Sequence, residues 1–97
     1  MRAMRSQERL VVIIEGALDA QKVRLHQELW SLVIADPSSD VLIDLRDCPL
    51  IDGSGVALLV SLMRHTTTGG GSLRLKHAKG QPAELLRQLG ISQAIAA

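Results

Sequence analysis

Two short β-branched runs narrow the architectures open to this chain. Arg9–Leu10–Val11–Val12–Ile13–Ile14–Glu15 holds five consecutive apolar residues, and Val41–Leu42–Ile43–Asp44–Leu45 repeats the chemistry further on. Short runs rich in Val, Ile and Leu read as strands, and an unbroken apolar run predicts burial on both faces. Between them, Leu25, Leu29 and Leu32 share one helical stripe with Val33 beside it. Lys22, Arg24, Gln27 and Glu28 supply the polar side. This spacing predicts one amphipathic helix from Ala20 to about Ile34. A helix between two strands is a crossover, so the strands are expected to lie parallel and the connection to be right-handed.

The alternation continues. Gly16–Ala17–Leu18–Asp19 turns the chain, with Asp19 placed to cap the first helix, and Asp36–Pro37–Ser38–Ser39–Asp40 ends it in a loop. Asp52–Gly53–Ser54–Gly55 leads into a second helix from about Ser54 to Thr67, which Thr68 and Gly69–Gly70–Gly71 unwind. Ser72–Leu73–Arg74–Leu75–Lys76–His77 alternates apolar and polar residues, as a strand near a sheet edge does when one face meets water. Pro82 suits the first position of a short helix with Leu85, Leu86 and Leu89 buried, and Gly90 closes it. Residues 91–97 carry no clear pattern. The order β-α-β-α-β-α predicts an α/β fold: a small mixed, mainly parallel sheet with helices packed against it. The 97 residues suffice for a single domain over 1–97.

Composition then removes several classes of function. Net charge is +1, so no overall field draws the chain to nucleic acid or acidic lipid. Trp30 is the sole aromatic residue, which leaves nothing for bases to stack on; its expected place is the core. Arg2, Arg5 and Arg9 read as a solvated basic tail. Cys48 is the single cysteine, so an internal disulfide is impossible and a small buried side chain is expected. His26, His65 and His77 fall on three elements without metal-ligand spacing, so neither metal nor cofactor is expected. The apolar runs are too short to span a bilayer and the basic start lacks the form of a signal peptide, which predicts a cytoplasmic protein. A serine-hydrolase elbow is excluded because Asp52 stands where glycine is needed before Ser54. Leu58 stands where a dinucleotide fingerprint needs its third glycine, and Gly69–Gly71 is not followed by a phosphate-loop pattern.

The segment Leu50–Ile51–Asp52–Gly53–Ser54–Gly55–Val56–Ala57–Leu58–Leu59 is the most informative. Asp52 and Ser54 can accept hydrogen bonds from the unpaired N–H groups at a helix start, and the two glycines permit a sharp turn and close approach. From spacing alone, a plain capped turn explains it. The following helix is apolar from Val56 to Met63 except at Ser61, far more than one stripe requires. Either neighbouring helices bury it on several sides, or part of it faces a partner.

These segments resemble the STAS domain family, whose best-known members are bacterial anti-sigma factor antagonists. The matching landmarks are Gly16–Ala17–Leu18–Asp19, then Val41–Leu42–Ile43–Asp44–Leu45, then Asp52–Gly53–Ser54–Gly55–Val56–Ala57–Leu58–Leu59. In the antagonists, the residue after the motif Asp is a Ser or Thr that a kinase-type anti-sigma factor phosphorylates, which abolishes binding. This chain has Gly53 there, which has no hydroxyl, and Ser54 is the nearby substitute, though its role as a helix cap is the simpler one. Relative to the family, the first strand is expected to be stunted or missing, and the C-terminus to stop before a further strand and helix. The chain is also similar to the small STAS subunit of bacterial lipid-transport ABC systems, which binds the ATPase subunit through the same loop and helix.

The resemblance implies a non-catalytic module that binds an anti-sigma or kinase-type protein, or alternatively an ABC ATPase; a homodimer is compatible with either. The expected contact surface is Asp52, Gly53, Ser54 and Gly55 with Val56 and Leu59, while Asp19 and Asp44 shape neighbouring loops. A different class, a nucleotide-binding or catalytic domain using the Asp52 turn, stays as the rival.

Overall fold

A computed structural model describes residues 2–6, 9–35, 40–91 and 95–96. The elements are β1 (Arg2–Ser6), β2 (Arg9–Glu15), α1 (Ala20–Leu25), α2 (Gln27–Ala35), β3 (Asp40–Asp47), α3 (Gly53–Thr68), β4 (Ser72–Lys76), α4 (Gly80–Gln88) and β5 (Ile95–Ala96). They form one mixed sheet in the order β1-β2-β3-β4-β5, antiparallel between β1 and β2 and parallel elsewhere. Four strands have five or more residues and β5 has two. The predicted α/β architecture is therefore present. The loop expected at Asp36–Pro37–Ser38–Ser39 lies outside the described residues.

Three expectations change at the ends and edges. The first strand is not missing: residues 2–6 pair with β2 along their length, from Arg2 opposite Ile13 to Ser6 opposite Arg9. Arg2 and Arg5 thus belong to a strand rather than a tail, and the Arg2 guanidinium lies 3.2 Å from the Glu15 carboxylate. At the other end, Ile95 and Ala96 add a short parallel strand beside Leu75 and Lys76.

The strands are buried on one face, not two. Leu10, Val12 and Ile14 on β2, Val41, Ile43 and Leu45 on β3, and Leu73 and Leu75 on β4 all point into the core. Val11, Ile13 and Leu42 point the other way and are only half-buried. The cause is topological. Neighbouring parallel strands in chain order, joined by right-handed crossovers, place every connecting helix on the same side.

The first helical segment also differs. His26 leaves helical geometry, with φ −113° and ψ 35°, and divides the predicted helix into α1 and α2. The break frees the Val23 carbonyl, which accepts the Trp30 indole N–H at 3.0 Å. Burying an indole requires such a partner. The rotation puts Trp30 and Val33 in the core, with Leu29 half-buried against it, and leaves Leu25 72% and Leu32 48% exposed, so only part of the expected stripe faces inward. A similar shift occurs in α4, which begins before Pro82. Leu86 is buried and Leu85 half-buried, while Leu89 is exposed.

Helix α3 buries Gly55, Leu59, Leu62 and Thr66 along one stripe. The Thr66 hydroxyl donates to the carbonyls of Leu62 and Met63, at 3.0 and 3.1 Å, so no polar group is stranded. Val56, Leu58, Val60 and Met63 flank the stripe half-buried. Cys48 is buried as expected.

If the break at His26 sets the helix phase, Trp30→Phe should cost about 1–2 kcal/mol by stranding the Val23 carbonyl. Leu25→Ala should stay within about 0.5 kcal/mol of wild type. Urea unfolding of both variants measures the contrast.

Candidate functional site

Three loops meet at the carboxyl edge of the parallel strands, the edge where open α/β sheets place their sites. The β2–α1 loop joins the β3–α3 loop through backbone bonds: the Gly16 N–H donates to the Asp47 carbonyl at 2.9 Å and the Leu18 N–H to the Leu50 carbonyl at 2.8 Å. The Asp52 N–H donates back to the Leu18 carbonyl at 3.2 Å. Leu18 and Ile51 thus form a parallel bridge beyond the ends of the strands.

Gln81, in the first turn of α4, completes this arrangement from the far side. Its Oε1 accepts the Ile51 N–H at 2.9 Å and its Nε2 donates to the Ile51 carbonyl at 3.0 Å. One side-chain amide therefore does for Ile51 what a third strand would do. Nothing in the local sequence marks Gln81 for this role, because its partner lies 30 residues away.

Asp52 is the N-cap of α3. Its Oδ1 accepts the Gly55 N–H at 2.9 Å and its carbonyl accepts the Val56 N–H at 2.9 Å. This corrects the expectation that Ser54 caps the helix: Ser54 lies inside the first turn and is exposed. Asp19 caps α1 in the same way, accepting the Lys22 N–H at 2.9 Å. Lys22 in turn reaches back through its Nζ to the Glu15 carbonyl, closing the loop around Gly16, whose φ is 83°.

The two glycines of the corner have opposite roles. A Cβ on Gly55 would stand 2.5 Å from the Leu18 carbonyl oxygen and 2.9 Å from side-chain carbons of Leu18 and Ile51, so only glycine lets α3 approach the bridge. A Cβ on Gly53 would meet nothing within 4 Å. Gly53 and Ser54 are exposed, and Asp52 and Val56 are half-buried. Gly55 and Leu59, expected at the contact surface, are buried and hold that surface from beneath. Asp44 is displaced from the corner altogether. It lies on the sheet face away from the helices, in register with Ile13 and Lys76, and accepts the Arg46 N–H at 2.9 Å.

Beside the corner runs a shallow groove between α1–α2 and α3, floored by Val23, Ala57, Leu58 and Leu62 and edged by Ile34 and His65. The His65 Nε2 contacts the Ile34 carbonyl at 3.0 Å and ties the two helices. The nearest thiol, Cys48, is poorly suited to nucleophilic chemistry. Burial pushes it above the ordinary thiol range, outweighing the Leu50 and Leu18 backbone and the Lys22 charge that pull it down. Among the described residues no three acidic, His or Cys side chains cluster as metal ligands would. The arrangement is suited to recognition: a capped corner, rigidly supported, with a small exposed tip and an apolar flank.

Gly55→Ala should destabilise by about 1–3 kcal/mol through overpacking, whereas Gly53→Ala should be neutral or stabilising by up to about 1 kcal/mol. Denaturant unfolding separates them. Gln81→Ala should speed hydrogen exchange at the Ile51 amide, read by NMR.

The sequence profile of the STAS domain matches residues 1–96. No curated protein sequence matches the chain. Among solved structures, the unphosphorylated anti-sigma factor antagonist SpoIIAA superposes with a TM-score of 0.81 at 17% identity, covering 98% of this chain and 84% of that one. The phosphorylated Bacillus SpoIIAA superposes with 0.80 at 20% identity, covering 98% and 87%. A Wolinella succinogenes protein of the sulfate transporter family gives 0.75 at 14% identity, covering 95% and 79%. These likenesses are of fold, and the profile match extends over nearly every residue: the chain belongs to the STAS domain family.

Proposed function

We propose that this chain is a regulatory module of the anti-sigma factor antagonist type, which binds a kinase-type anti-sigma protein without catalysing a reaction itself. The observation that carries the reading is the corner at Gly53 and Ser54. It is exposed, it continues into the apolar flank of α3, and its backbone is held by the Leu18–Ile51 bridge and by Gln81. A surface ordered before binding loses little entropy on association, which favours affinity. The contact surface is Asp52, Gly53 and Ser54 with Val56, extended by Ala57 and Leu58 along the groove.

The reading implies a cytoplasmic location, and no helix among the described residues is long and apolar enough to cross a membrane. Gly53 removes the hydroxyl that the antagonists modify, so a phosphate-controlled switch would have to use Ser54. Ser54 is exposed at the start of α3, where the N–H groups of the first turn favour a phosphate. A phosphate adds about −1.5 to −2 charges at the edge of an apolar contact, which opposes docking.

The open space at Gly53 makes the test clean. Gly53→Trp should leave the thermal unfolding midpoint unchanged and abolish co-purification of the partner from native cells. Mass spectrometry of what wild type retains identifies the partner: a kinase-type anti-sigma protein supports the proposal, and an ABC ATPase replaces it with the transporter-subunit role. Retention undiminished by Gly53→Trp would place the surface elsewhere. With the purified kinase and ATP, phosphate should be found on Ser54 and be absent from Ser54→Ala.

A further inference from the structure

On the sheet face away from the helices, charge is gathered at one place. Strand β4 alternates the buried Leu73 and Leu75 with Ser72, Arg74 and Lys76, so everything it presents on that face is polar. The neighbouring strand sets Asp40 in register with Ser72 and Leu42 in register with Arg74, and Arg9 of β2 stands beside Asp40. These side chains surround a cavity of about 120 Å³, lined by Leu42 and Ser72 and by the three cations Arg9, Arg74 and Lys76.

The cations have no counter-charge of their own. Among the described residues, none of Arg9, Arg74 and Lys76 forms an ion pair or a side-chain hydrogen bond. Asp40 is the sole carboxylate among the described residues that line the cavity, and it accepts the Ser72 hydroxyl at 2.8 Å instead of pairing with an arginine. Asp44, in register with Lys76, is not part of the lining and accepts the Arg46 N–H. Three positive groups and one negative leave the cavity with a formal charge of +2, more than the +1 of the whole chain. Concave surfaces of one sign concentrate ions of the other.

We propose that this cavity is a binding site for a doubly charged oxyanion: phosphate, or the phosphate group of a monoester. Two negative charges match the local excess. The planar guanidinium forks of Arg9 and Arg74 suit the oxygens of a phosphate, and Lys76 adds a point charge from the β4 side. The cavity is well below the roughly 300–1,000 Å³ that encloses a whole small molecule, so it takes an anionic group and leaves any attached body in solvent. Arg9 and Arg74 are exposed and Lys76 is half-buried, so water screens each contact and the affinity is on the order of 1 mM. The site opens on the opposite side of the sheet from α3, so anion binding is independent of what docks at the Gly53 corner.

NMR titration of the whole chain at low ionic strength, near pH 7.5, tests this with two probes, inorganic phosphate and glycerol 3-phosphate. Either probe should move the Arg9, Leu42, Ser72 and Arg74 amides along saturating curves and leave Gly53 and Ser54 in place. Tighter binding of glycerol 3-phosphate identifies a monoester as the ligand, and equal binding identifies the free anion. Arg74→Gln should weaken binding about threefold and Arg9→Gln with Arg74→Gln about tenfold. Asp40→Asn, which keeps an acceptor for Ser72 and removes the opposing charge, should tighten it about threefold. Arg64→Gln, which removes the same charge from α3, should change nothing. The proposal is overturned if the shifts fail to saturate, if chloride at matched ionic strength reproduces them, or if Arg64→Gln weakens binding as much as Arg74→Gln does. Unchanged or weaker binding by Asp40→Asn would overturn it as well. The spectrum of each variant reports its fold directly, and the substituted side chains are all exposed.

Discussion

The handedness of the crossover connections governs what this molecule presents to its surroundings. β2, β3 and β4 are neighbours in chain order and parallel, so α1–α2 and α3 must return on the same side of the sheet. One face becomes the core, built from alternate residues of each strand: Leu10, Val12 and Ile14, then Val41, Ile43 and Leu45, then Leu73 and Leu75. The other face is left to the intervening residues. The shared direction of these parallel strands brings every strand-to-helix loop to one edge, which is why Asp19, Asp52 and Gln81 gather there.

At that edge, rigidity is obtained with backbone groups more than with side chains. The loops after β2 and β3 are stitched as though the strands continued, and the Gln81 amide occupies the place of the next strand. Gly55 is the steric condition for this, since any side chain there would enter the Leu18 carbonyl. Gly53, two residues earlier, is under no such restraint. A motif that reads as a pair of equivalent glycines is thus one structural residue and one exposed residue. The distinction matters for substitution, because only the exposed one can carry a side chain without moving its neighbours.

Much of this was legible in the chain itself. The three longer parallel strands, the Asp19 and Asp52 turns, and the apolar character of α3 follow from β-branched runs, capping residues and glycines, all of which act over a few residues. The errors have a common origin. Leu25 and Leu32 fall on the expected stripe with Leu29 and Val33, yet both are exposed because the chain breaks at His26 and the indole finds the Val23 carbonyl. The arginines of β1 disguise a strand that forms by pairing with β2 and resting Ala3 on the core, partners that a local reading does not see. Continuous apolar composition in β2 suggested two covered faces, but coverage depends on where other elements go.

What the sequence alone determined, then, is the kind of element that most segments from β2 to α4 form and the corner that joins β3 to α3, since those depend on local sterics and hydrogen bonding. Which faces are buried, which of two glycines is irreplaceable, and that a glutamine 30 residues away secures the corner were decided only by the tertiary structure. These depend on contacts between residues far apart in the chain. No local pattern encodes them, because the partner exists only once crossover geometry has brought it alongside.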